Sequence, residues 1–75
     1  MAKTKNVVAI AKTLLDRRGT ASNRARLLTQ ELVHIYEETN NPDDLKMAKA
    51  AETLTEYCEK QRKLAFAEWL KTKEA

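Results

Sequence analysis

The sequence predicts an all-α chain of three helices, in which a short helical hairpin packs on a long C-terminal helix. Three observations predict it. One Gly and one Pro in 75 residues leave few places where a helix must stop. Apolar residues recur three and four positions apart along most of the chain. Two groups of residues then read as helix punctuation, one around Gly19 and one at Asn40-Asn41-Pro42.

The first predicted helix covers about residues 6–18. Asn6 or Thr4 is its candidate cap, since a short polar side chain accepts from the orphan N–H groups. Val7, Ile10, Ala11 and Leu14 form its apolar stripe. Arg17 and Arg18 fall in the last turn, where cations complement the helix dipole, and Gly19 suits the left-handed position beyond the end.

The second predicted helix covers about residues 23–38, capped by Ser22 or Thr20. Its stripe is Ala25, Leu28, Leu32 and Ile35. The break that follows is the most specific local signal in the chain. Asn41 reads as a cap, Pro42 as the first helical residue and Asp43-Asp44 as first-turn acids.

The third predicted helix covers about residues 42–73, because no stop signal precedes the end. Glu56 to Lys60 and Glu59 to Lys63 support it at i,i+4. Met47, Ala51, Leu54, Cys58, Ala65 and Trp69 make a stripe. The predicted hairpin is only half as long as this helix, so the segment carrying Leu64, Phe66, Trp69 and Leu70 is expected to project from it. The predicted core is Val7, Ile10, Ala11, Leu14, Leu28, Leu32, Ile35, Leu45, Ala51, Leu54 and Cys58.

A chain of 75 residues allows one helical domain, residues 1–75, and buries too little surface to be comfortable alone. Small domains offset this with disulfides, metals or association. Cys58 is the only cysteine and His34 the only histidine, which removes an internal disulfide and any paired metal-ligand spacing. Association remains. No cofactor, metal or small-molecule substrate is expected. A lone thiol suits a reducing compartment, and the cytoplasm is the expected location. Residues 7–11 are the longest apolar run, far short of a membrane span. Lys12 and Asp16-Arg17-Arg18 argue against a secretory leader.

The net charge of +3 conceals a pattern. Residues 1–30 carry seven bases against Asp16, and residues 31–59 carry eight acids against Lys46 and Lys49. Such asymmetry steers partners. Arg17, Arg18, Arg24 and Arg26, with Asn23, form the candidate site for an acidic or polyanionic partner, because arginine forks match carboxylate and phosphate. Leu64, Phe66, Trp69 and Leu70 form the candidate self-association surface, since aromatic anchors often dominate interfaces. Lys60, Arg62, Lys63, Lys71 and Lys73 give that end a basic character, but the aromatic residues form no clean stripe opposite them, so membrane binding is not expected. His34 and Cys58 fall on unrelated faces and suggest no nucleophile–base pair.

These features point to a small non-enzymatic binding or regulatory protein that acts by macromolecular contact. The expected form is a homodimer joined through the second half of the third helix, with an Arg-rich loop that contacts an acidic or polyanionic partner, protein or nucleic acid. One alternative is a DNA-binding protein in which the first two predicted helices act as a helix-turn-helix. Another is a structural subunit of a larger assembly.

Overall fold

The computed structural model describes the backbone of residues 2–74 and the side chains of residues 6–74. It is all-helical, as the sequence predicts, but it contains two helices rather than three. Helix α1 spans Ala2–Thr39 and helix α2 spans Pro42–Glu74. They run antiparallel as a single hairpin measuring 58 × 13 × 13 Å.

The expected break around Gly19 does not occur. Gly19 has no positive φ, and the predicted helices at 6–18 and 23–38 are one continuous element. The physical reason lies in what the neighbouring residues do instead. Thr20, a candidate cap, donates its hydroxyl back to the Asp16 carbonyl at 3.1 Å. Ser22, the other candidate, is buried against α2. A lone glycine weakens a helix by about 0.5–1 kcal/mol and does not stop it. Asn6 likewise caps nothing, because α1 already runs from Ala2; the Thr4 side chain lies outside the described residues.

The second break is where the sequence places it. Asn40 adopts the left-handed conformation at φ 53°, and its N–H donates to the Tyr36 carbonyl at 2.7 Å. That single bond closes α1 in the simplest left-handed cap. Asn41 then opens α2, its Oδ1 accepting from the Asp43 N–H at 2.9 Å. Thr39 ties the two ends together. Its hydroxyl accepts from the Asn41 N–H at 3.2 Å and donates to Asp44 Oδ2 at 2.6 Å.

Between the helices lies a narrow seam with a regular period. On α1 it passes through Val8, Ala11, Leu15, Arg18, Ser22, Ala25, Thr29, Leu32 and Tyr36, all buried or half-buried. The steps alternate three and four, the seven-residue period of coiled-coil packing. Ala48, Ala51, Thr55, Cys58, Ala65, Trp69 and Thr72 continue the same period on α2. Small residues dominate. Among the described residues, the buried apolar ones are Ala25, Ala48, Ala51 and Ala65, and no large side chain is fully buried. Midway, the Thr29 and Thr55 hydroxyls meet across the seam at 2.9 Å. Each also lies within 2.9 Å of a carbonyl one turn back, Ala25 or Ala51. Two protons serve these three contacts, so one hydroxyl bridges the helices while the other bonds within its own helix.

The predicted core therefore needs correction. Ala51 is buried, and Ala11, Leu32, Leu45 and Cys58 are half-buried. Val7, Ile10, Leu14, Leu28, Ile35 and Leu54 are exposed. They form a stripe beside the seam, and two helices alone offer nothing to cover it.

Candidate association surface

The seam divides the hairpin into two unlike sides. Each seam residue of one heptad phase on α1 (8, 15, 22, 29, 36) is preceded by an apolar residue: Val7, Leu14, Ala21, Leu28 and Ile35. On α2 Met47 and Leu54 hold the same relation to Ala48 and Thr55. These positions share one side of the hairpin. A shallow groove there is lined by Ala21, Arg24, Ala25 and Leu28 from α1 and by Leu54 and Cys58 from α2. Farther out on the same side come Ile10, Arg17, Arg24, Glu31 and Glu38 on α1, with Ala50, Tyr57, Leu64 and Lys71 on α2, each row spaced by seven. The result is a broad apolar face running the length of the hairpin. Ile10 is 68% exposed, Leu28 47%, Leu54 46% and Tyr57 54%.

The opposite side is mostly polar, with Lys12, Arg26, Lys49, Glu52, Glu56 and Lys63 exposed on it. Its one aromatic feature lies near the open end of the hairpin. Trp69 is half-buried, its ring centroid 5.9 Å from that of Phe66. The ammonium groups of Lys12 and Lys73 sit 5.4 and 4.9 Å from the Trp69 ring, within cation–π reach.

The candidate residues read from the sequence are redistributed by this geometry. Because α1 is continuous, it runs alongside all of α2, and no end of α2 projects. Leu64, Phe66, Trp69 and Leu70 thus fall into separate groups. Leu64 joins the broad face, while Phe66 and Trp69 belong to the aromatic cluster on the other side, with Leu70 exposed beyond them. The arginines also part company. Arg17 and Arg24 lie one heptad apart on the edge of the broad face and line one depression with Asp16, Thr20 and Ala21. Arg18 is half-buried at the seam. Arg26 points to the polar side, its Nη2 donating to Asn23 Oδ1 at 3.1 Å.

Among the described residues, the ion pairs are Lys12–Asp16 at 2.9 Å and Lys71–Glu68 at 3.4 Å, both exposed, and His34 Nδ1 lies 4.0 Å from Glu37 Oε2. None engages Arg17 or Arg24. His34 is exposed on α1, nine residues beyond the Ala25 level where Cys58 sits, roughly 13 Å along the helix. No cluster of metal-ligating side chains occurs among the described residues, and no helix there is long and apolar enough to cross a membrane.

The broad face escaped the sequence reading although its signal was present. The stripe of Val7, Ile10, Leu14, Leu28 and Ile35 is real, but it faces outward, where its periodicity alone predicts a core. A second, less apolar stripe one residue over contains the actual seam.

Comparison with known proteins finds no matching family model, no similar curated protein and no similar solved structure.

Proposed function

We propose that this chain is a non-enzymatic association module that works by macromolecular contact through the broad face of its hairpin. One observation carries the reading: the buried apolar residues of the seam are all alanines, whereas Val7, Ile10, Leu14, Leu28, Leu54 and Leu64 on the broad face are exposed. Burying a Leu, Ile or Phe side chain is worth about 1.5–3 kcal/mol, and an alanine much less. The isolated hairpin leaves most of that stabilisation unused. An apolar surface of this extent, edged by charges, is what a docking surface looks like.

The continuity of α1 favours this reading over the helix-turn-helix alternative. A reading helix needs a free N-terminus near Asn23 and Arg24, and both lie in the middle of α1. Arg17 and Arg24 remain available to an acidic partner at the edge of the face.

The test is thermal unfolding of the isolated chain, followed by circular dichroism in dilute solution. The reading expects a broad, low-temperature transition when the face is bare, and a sharper and higher one when it is covered. A cooperative transition at about 45–65 °C that ignores concentration would mark a self-sufficient monomer and overturn it.

A further inference from the structure

We propose that the broad face is covered by a second copy of this chain, with α1 lying antiparallel against the partner's α1, so that two hairpins close into a four-helix bundle. This rests on reading that face as the association surface.

The first argument is area. A compact monomer of 8.6 kDa exposes about 4,700 Å². This chain exposes 5977 Å², an excess of roughly 1,300 Å². A stable interface of standard size takes about 800 Å² from each partner. The excess is therefore enough for one full interface. The radius of gyration agrees, at 16.9 Å against about 11 Å for a compact chain of this length.

The second argument is charge order. Beyond Ile10, the outer row of the face on α1 reads Arg17, Arg24, Glu31, Glu38, one residue per heptad. A two-fold interface must complement itself. When two such rows run antiparallel, the basic half of each meets the acidic half of the other. When they run parallel, like charges meet. The row thus specifies both the partner and its direction.

The same row disfavours the other way of closing two hairpins, in which α1 lies on the partner's α2. The outer row of α2, from Asp43 through Ala50, Tyr57 and Leu64 to Lys71, offers a single carboxylate to Arg17 and Arg24. With α1 on α1, the outer apolar residues of α2 are left to pack on one another.

The decisive experiment uses two charge-reversed chains. One carries Arg17→Glu with Arg24→Glu, the other Glu31→Arg with Glu38→Arg. Sedimentation equilibrium at low ionic strength gives the mass, and circular dichroism gives the helicity. Wild type is expected at twice the 8.6 kDa chain mass. Each variant alone presents a row of one sign to itself, and its self-association is expected to weaken by about 100-fold. An equimolar mixture restores every opposite pairing, so the two variants are expected to form a 1:1 heterodimer with wild-type helicity. Folding failure cannot imitate this result, because the mixture recovers what each chain lacks alone.

Variants that dimerise as well as wild type, or a mixture that recovers nothing, would overturn the antiparallel pairing. A wild-type chain that stays monomeric and poorly cooperative at several hundred micromolar would overturn the second copy while leaving the association reading standing. A cooperative, concentration-independent monomer would overturn both.

Discussion

Residue 25 of α1 is an alanine buried to 5% exposure, and residue 28, less than a turn on, is a leucine left 47% exposed. The same inversion recurs on α2, where Ala51 is buried and Leu54 is open. A seam in which alanine, serine and threonine predominate brings two helices close and fixes their register through contacts such as Thr29 to Thr55. It removes little apolar surface from water. The broad face holds the surface that would supply the stabilisation. Within one hairpin, then, the residues that define the pairing and those able to stabilise it are different residues. That division suits a chain completed by association.

The sharpest way to break this comparison is Leu28→Ala, measured at two chain concentrations. In dilute solution Leu28 faces water, and the change is expected to alter stability by no more than about 0.5 kcal/mol. Once the face is covered, the same change is expected to cost about 2–5 kcal/mol. Denaturant unfolding under both conditions reads the difference. Equal costs would show that the face is never buried.

A smaller effect should separate two neighbours, Ala50 and Ala51. Ala51→Leu forces a larger side chain into the seam and is expected to cost about 1–3 kcal/mol at any concentration. Ala50→Leu adds the same atoms on the exposed side, and little loss is expected in the dilute chain. Parallel melts of the two variants make the comparison. If both are tolerated, the seam is not the close contact described above.

The two punctuation sites show what was legible in the sequence and what was not. Asn40-Asn41-Pro42 acts through local chemistry: a left-handed asparagine, a side-chain cap and a residue with no N–H to lose. Nothing distant can override that set, so it could be read directly. Asn41→Ala is accordingly expected to lower stability by about 1 kcal/mol in a thermal melt. Gly19 is different, because glycine permits a helix end without requiring one. The outcome there depends on a tertiary fact, the length of the helix against which residues 8–36 pack. One clue was available. The seam keeps its three-four phase through Leu15, Arg18, Ser22 and Ala25, whereas a turn would have reset it. That phase is hard to see because most of its residues are small or polar, while the stripe beside it is rich in leucine and isoleucine. Apolar periodicity finds the face most in need of cover, and in a two-helix hairpin that face is not the seam. The candidate site was divided for the same reason. Arg17, Arg18, Arg24 and Arg26 would cluster around a turn, but on a continuous helix only Arg17 and Arg24 share an edge.

Gly19→Ala carries the smallest effect and tests the continuity of α1 by its sign. The backbone at residue 19 is helical, with no positive φ. A Cβ built there would find its nearest neighbour in the Arg62 side chain, with Cδ at 3.9 Å, an ordinary contact. Alanine therefore fits without strain, and it removes the extra freedom that glycine has in the unfolded chain. The expected outcome is a gain of about 0.5–1 kcal/mol. In a chain this small, 1 kcal/mol corresponds to a rise of about 4–8 °C in Tm. If residue 19 instead sat in the left-handed conformation at the end of a shorter helix, the added Cβ would cost about 1–2 kcal/mol and the midpoint would fall. One melt of one variant thus separates a hairpin of two long helices from an arrangement of three, because the two folds predict shifts in opposite directions.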